Sequence, residues 1–157
     1  MGLEIERKFL VDHEKWAKVD KPDGTHYRQG YLVDEAIKTI RVRAAGEKGF
    51  ITIKGSTTGI TRKEFEYEIP VEEAIQLIDG FAVSEVEKTR YRITFKGKLW
   101  EVDEFWGNNK GLLMAEIELK QEDETFEKPD WITLEVSDDK RYYNSYLAKN
   151  PFKDWGK

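Results

Sequence analysis

Glu4 and Glu6 stand one residue apart, and so do Glu116 and Glu118. On a β-strand, residues i and i+2 project from the same face about 7 Å apart. Each pair can therefore direct two carboxylates at one hard, oxygen-preferring cation such as Mg²⁺ or Mn²⁺. Basic residues recur at the same spacing: Arg41 with Arg43, and Lys88 with Arg90 and Arg92. Guanidinium forks grip paired anionic oxygens, and ammonium groups add mobile point charge. Together the two sets describe chemistry on a polyanion in the company of cations. Other chemistries lack their residues. The chain has no cysteine, which removes disulfides, thiolate metal sites and cysteine nucleophiles. The two histidines, His13 and His26, fall at the starts of elements and read as surface residues rather than ligands. There is no Walker loop, no Gly-x-Gly-x-x-Gly and no kinase catalytic loop, so a phosphate site must be assembled from side chains.

The elements that must position these groups are mostly strands. Eight stretches alternate in polarity, at 3 to 11, 26 to 33, 38 to 45, 49 to 55, 62 to 69, 84 to 96, 98 to 106 and 111 to 120. Short turns at Ala45-Gly46-Glu47 and Lys96-Gly97-Lys98 make neighbours antiparallel. Helices are expected at about 13 to 19, 71 to 79 and 138 to 149, the second from the stripe Val71, Ala74, Ile75 and Ile78. Within the strands the charges are sorted by sign. Glu4, Glu6 and Lys8 oppose Ile5, Phe9 and Val11; Arg41 and Arg43 oppose Ile40 and Val42; Thr52 and Lys54 oppose Ile51 and Ile53. Glu64, Glu66 and Glu68 oppose Phe65, Tyr67 and Ile69, while Lys88, Arg90 and Arg92 oppose Tyr91, Ile93 and Phe95. Glu101 and Asp103 oppose Trp100 and Val102, and Glu116 and Glu118 oppose Ala115, Ile117 and Leu119. An antiparallel sheet with one solvated face would scatter mixed polar residues instead. Burying so many charges among apolar groups costs several kcal/mol per ion, so the charged face must be wet. The pattern predicts an α+β protein: a closed eight-stranded antiparallel β-barrel with its apolar side outward, a few flanking helices, and the charge in a water-filled lumen.

The 157 residues suit one domain spanning 1–157, with no Gly/Ser-rich linker or repeat, and the four prolines fall between periodic segments. Charged residues make up 36% of the chain, above the usual quarter, yet 13% aromatics supply a core. A net charge of -5 argues against a general nucleic-acid binder. The N-terminus is charged from Glu4, so it is no signal-peptide core, and no apolar run approaches membrane-spanning length. Cytoplasmic residence without a membrane is the expectation. Apolar strand faces on the outside would allow two barrels to pair as a homodimer.

The charged rows also form an ordered set of motifs. Glu4-Ile5-Glu6-Arg7-Lys8 is followed by Arg41-Val42-Arg43, Ile53-Lys54, Arg62-Lys63-Glu64-Phe65-Glu66 and Glu87-Lys88-Thr89-Arg90-Tyr91. Then come Glu101-Val102-Asp103, Ala115-Glu116-Ile117-Glu118-Leu119 and Asp139-Lys140-Arg141-Tyr142. Over nearly the whole chain this order resembles the CYTH group of triphosphate tunnel metalloenzymes, which includes inorganic triphosphatases, thiamine triphosphatases and class IV adenylate cyclases. The resemblance implies that Glu4, Glu6, Asp103, Glu116 and Glu118 hold Mg²⁺ or Mn²⁺. It implies triphosphate contacts from Lys8, Arg41, Arg43, Lys54, Lys88, Arg90 and Lys140, with Arg62 in the same role from a strand beginning. Lys8 and Tyr31 would share proton handling, although Tyr31 could equally be wall packing. Arg92 shares the lumen face without a family counterpart.

By the same resemblance the substrate is a small triphosphate, and metal-dependent hydrolysis of inorganic tripolyphosphate to pyrophosphate and phosphate is the expected activity. One cation would bridge phosphate oxygens and a second would activate water. Thiamine triphosphatase or nucleoside triphosphatase activity are the alternatives, followed by a class IV cyclase, whose His-Phe signature is replaced here by Phe9-Leu10-Val11-Asp12-His13. A non-catalytic polyphosphate-binding module is the rival of a different kind.

Overall fold

Among the described residues nine strands join in one antiparallel sheet, and eight of them close into a barrel. Around it the order is β5 (Thr61–Ile69), β4 (Lys48–Gly55), β3 (Lys38–Ala45), β2 (Thr25–Asp34), β6 (Ser84–Phe95), β7 (Lys98–Phe105), β8 (Leu113–Glu118) and β1 (Gly2–Val11). The computed structural model of the protein describes residues 2–156; Met1 and Lys157, the ends of the expected 1–157 span, lie outside the described residues. Closure is made by β1, whose Gly2–Ile5 pair with β5 on one edge while Glu6–Leu10 pair with β8 on the other. Where β5 leaves β1, a ninth strand, β9 (Ile132–Glu135), pairs with Phe9 and Val11 and continues the wall.

Turn chemistry sets the hairpins. Lys96 and Gly97 both have positive φ, 51° and 78°, and form the two-residue connection between the paired Phe95 and Lys98. Such a turn carries the twist that antiparallel neighbours need.

Helices cover the apolar outside. Helix α1 (His13–Ala17) is capped by Asp12, whose carboxylate accepts from the Lys15 amide, and it ends two residues before the expected boundary. Its Trp16 packs edge-to-face on Trp131, with ring centroids 5.1 Å apart, over a cluster containing Phe9, Trp100, Val102, Ala115 and Ile117. Helix α2 (Val71–Phe81) buries Ala74 and Ile78 against Val42 of β3, while Ile75 of the predicted stripe is 40% exposed. Close approach there depends on two glycines. A Cβ at Gly30 would lie 2.8 Å from the Ala82 Cβ, and one at Gly49 would lie 2.8 Å from the Ala74 Cβ. The third expected helix is interrupted: Lys140–Tyr142 make a single 3-10 turn, Tyr143 is extended, and only Asn144–Lys149 form α3. The Asp139 carboxylate takes the Arg141 amide and starts the short turn. Leu3, Ile53, Phe65 and Tyr67 remain an exposed apolar strip on the outside of β1, β4 and β5.

The inward rows change character at one end of the barrel. By strand alternation, Leu10 follows Lys8, Val86 precedes Lys88, Phe105 follows Asp103, and Met114 precedes Glu116, all on the lumen side. These residues pack with Leu112 and with Leu147 of α3 into an apolar layer that fills this end. Lys149 of α3 reaches Asp34 at the end of β2, at 3.2 Å, so the helix lies across the opening.

Candidate active site

Strand alternation turns seven carboxylates and eight cationic side chains into one cavity of about 230 Å³. Glu4, Glu6, Glu116 and Glu118 line it, together with Lys8, Tyr31, Arg41, Arg43, Lys54, Arg62, Lys88 and Arg90. Arg92, Glu64, Glu66 and Glu101 stand on the same wall. Two residues expected at the site do not line the cavity. Asp103 is only 1% exposed and lies on the lumen side covered by Arg90 and Lys88, while Lys140 is exposed on an outer groove beside Arg7, Glu135 and Asp139. The bend at Asp139 turns Lys140 outward and presents Ser137, Tyr143, Asn144 and Ser145 to the lumen instead.

The acids and bases hold one another. Lys8 Nζ lies 3.1 Å from Glu6 and 3.2 Å from Glu116. Burial works against its charge, but Glu116 and Glu6 outweigh that and raise its pKa, so Lys8 stays an ammonium. Burial likewise opposes the charged form of Glu6, yet Lys8 leaves its pKa below the ordinary carboxylate value. Lys54 bridges Glu4 at 3.0 Å and Glu64 at 3.2 Å. Arg90 binds Asp103 through two parallel bonds of 2.7 and 2.8 Å, and Lys88 donates to the same carboxylate at 2.8 Å. Burial would raise the Asp103 pKa, but Arg90 and Lys88 bring it down to about 2. The Lys88 ammonium is pushed down to about 7 by burial, which Asp103 offsets only in part.

The remaining imbalance has both signs. Arg43 has no carboxylate at ion-pair distance among the described residues, and Arg41 Nε is buried without an acceptor. At the other pole Glu118 has no cationic partner among the described residues. Burial raises its pKa, reinforced by Glu4, Glu64, Glu6 and Glu101. Among the described residues no three acids or histidines converge closely enough to hold an ion together in this arrangement, because Glu4, Glu6 and Glu116 lean on bases. The donor set nevertheless fits a hard divalent cation: it is all oxygen, and its mutual repulsion is what such an ion relieves.

The sequence pattern places Thr52 on the charged face but does not single out three other polar residues of this region. Tyr27 and Gln29 lie on β2, Thr52 links Arg41 to Glu66, and Asn144 accepts from both Lys88 and Gln29. The parity of Tyr27 and Gln29 on β2 is readable, but they carry no charge, and Asn144 lies on α3, outside the strand pattern. Lys8 and Tyr31 share no hydrogen bond among the described residues; the Tyr31 hydroxyl accepts from Gln29 Nε2 at 3.1 Å.

The sequence profile of the CYTH domain matches residues 2–145. The chain is 50% identical over 156 residues to an inorganic triphosphatase of Acetivibrio thermocellus, covering 99% of each sequence. It is 39% identical over 154 residues to an inorganic triphosphatase of Nitrosomonas europaea, covering 92% of this chain and 96% of that one. A crystal structure of an inorganic triphosphatase superposes with a TM-score of 0.63 at 36% identity, over 92% of this chain and 93% of that chain. A putative adenylate cyclase from Bacillus halodurans, at 16% identity, TM-score 0.62 and coverage of 78% and 84%, shares the fold alone. A closed barrel with sorted charge inside, and a profile match across most of its length, place this chain in one lineage: it belongs to the CYTH domain family.

Proposed function

We propose that this protein hydrolyses inorganic tripolyphosphate to pyrophosphate and phosphate, working as a single domain with a divalent cation, Mg²⁺ or Mn²⁺. One observation carries the reading. A single lumen holds under-neutralised guanidinium groups, Arg41 and Arg43, and an under-neutralised carboxylate, Glu118. A compact polyanion arriving with its cation answers both. The relatives named inorganic triphosphatase, at 50% and 39% identity, support the same substrate class.

Arg41 and Arg43 on β3, with Lys88 and Arg90 on β6, flank β2 and would align the phosphates, aided by Lys54 and Arg62. Glu4, Glu6, Glu116 and Glu118 would hold the cation, which the CYTH family implies; Asp103 serves this reading as the anchor of Arg90 and Lys88. When bound, the cation withdraws charge from phosphate oxygens and lowers the pKa of water. Lys8, kept charged by Glu6 and Glu116, stabilises negative charge and is not a base at neutral pH. Tyr31 already accepts from Gln29, so its own proton is free to be donated into the lumen.

No tryptophan lines the lumen among the described residues, which weighs against a slot for an organic base. Trp16, Trp100 and Trp131 belong to the outer core, Trp106 donates to Thr89, and Trp155 packs on Tyr142 and Phe152. The test is phosphate release from tripolyphosphate, thiamine triphosphate and ATP, each with Mg²⁺, Mn²⁺ or chelator. Tripolyphosphate should be turned over fastest, and chelator should abolish release. Undiminished turnover in chelator would overturn the carboxylate assignment, and faster release from either organic triphosphate would move the substrate assignment.

A further inference from the structure

Strand β2 is the exception in the charged wall. Its lumen-side row, Tyr27, Gln29 and Tyr31, carries no charge, and each residue is at most 3% exposed. It nevertheless lies between the two strands that supply most of the arginines. The Tyr27 ring centroid is 4.8 Å from the Arg43 guanidinium, 5.2 Å from that of Arg90 and 5.9 Å from the Lys88 ammonium. Its hydroxyl accepts from Arg92 Nη2 at 2.8 Å. Gln29 Oε1 accepts from Arg43 Nε at 3.2 Å, while its amide nitrogen donates to Tyr31 and to Asn144. An arginine can only donate, so Arg43 fixes which way this amide points.

The four deep bases are held by different means. Arg90 and Lys88 rest on Asp103, and Arg41 lies 3.6 Å from Glu66. Arg43 alone among these four has no carboxylate partner among the described residues, although Arg41 and Arg90 press on it with like charge. A carboxylate would orient Arg43 but would also neutralise it and compete with any anion. An aromatic face and an amide oxygen orient it without removing its charge. The amide oxygen also engages only Nε, which leaves both terminal nitrogens for a fork on paired oxygens.

We propose that Tyr27 and Gln29 are positioning residues that hold Arg43 as an uncompensated, anion-receiving fork, a role that rests on the reading of the lumen as a tripolyphosphate site. The ring matters for its face, not for its hydroxyl. Steady-state kinetics with tripolyphosphate and Mg²⁺ on Tyr27→Leu, Tyr27→Phe, Gln29→Met and Arg43→Met, with the doubles made on Arg43→Met, provide the test. Tyr27→Leu should raise KM about tenfold, the equivalent of a cation–π contact near 1.4 kcal/mol, and change kcat about twofold or less. Tyr27→Phe should restore KM to within about twofold of wild type. On the Arg43→Met background, Tyr27→Leu and Gln29→Met should each add about twofold or less, because they act through a group already removed. Penalties that multiply on that background, or a Tyr27→Phe as impaired as Tyr27→Leu, would overturn the proposal. Should Tyr27→Leu lower the melting temperature too far to assay, Gln29→Met and its double decide the matter alone. Calorimetric binding of tripolyphosphate to Arg43→Met separates the two levels: unweakened binding removes the site reading and the proposal with it, whereas weakened binding with additive Tyr27 and Gln29 effects removes the proposal only.

Discussion

Lys88 is the residue whose titration reports on the lumen. Burial brings its pKa to about 7 in the ligand-free protein, so the amine is largely neutral at higher pH. A polyanion beside it favours the ammonium and raises that value. Binding of tripolyphosphate about one pH unit above this point should therefore take up a proton, and affinity should fall as pH rises further. Calorimetry in two buffers of different ionisation enthalpy measures the uptake, and Lys88→Met should abolish it; proton release in its place would contradict the assignment. Glu6→Gln and Glu116→Gln keep volume but remove a ligand charge, so activity should fall on the order of 10²-fold while the melting temperature holds. Lys8 keeps one carboxylate in either variant, which is why the fold should survive. Charged residues of this kind were legible in the sequence because their spacing of two fixes their face. Asp103 was legible as inward-facing but not as an anchor, since nothing in a linear pattern shows that Arg90 and Lys88 close over it. Tyr27 and Gln29 were illegible for the opposite reason: neutral side chains on a wall read as packing until their distances to Arg43 are known.

Among the elements, the eight barrel strands followed from alternation to within three residues at every end, whereas β9 did not. Its four residues, Ile132–Glu135, are too few to show a period, and they gain a strand's hydrogen bonds only from β1. What ties β9 down is legible only in three dimensions. Arg7 grips Glu135 with two bonds of 2.8 and 2.5 Å, and Ser137 donates to the same carboxylate. The Arg7 bond, against partial burial, lowers the Glu135 pKa below its ordinary 4.5. A depressed carboxylate stabilises the fold above its unfolded pKa, and that contribution disappears as pH falls through the folded value. Protection of the Val136 amide, which bonds to the Lys8 carbonyl, against exchange relative to its intrinsic rate should fall in that acidic window; in Glu135→Gln that protection should be lower at neutral pH and lose this acid dependence. In the outer core beside β9, Trp100→Ala empties the fully buried centre and should cost about 3–5 kcal/mol in denaturant unfolding.

The whole molecule is a charged vessel, and its stability should answer to what it holds. Tripolyphosphate with Mg²⁺ that binds only the folded state adds about 2.7 kcal/mol at a free concentration one hundredfold above Kd. Arg41→Ala and Lys88→Ala should each shrink the resulting rise in melting temperature. Arg7→Ala should leave that rise nearly unchanged, because Arg7 stands outside the barrel on Glu135 and lies 5.1 Å from the Phe126 ring. An Arg7 effect as large as that of Arg41 would contradict the orientation of β1. The apolar layer of Val86, Phe105, Met114 and Leu147 carries a further consequence for traffic. With one end filled, entrance and exit are the same door, so whichever fragment lies nearer the mouth leaves first and the deeper one waits behind it. A polyphosphate longer than the lumen can offer only its tip, never its middle. Long chains should therefore shorten from their ends, visible on a gel as a band that creeps downward without a ladder of mid-chain fragments.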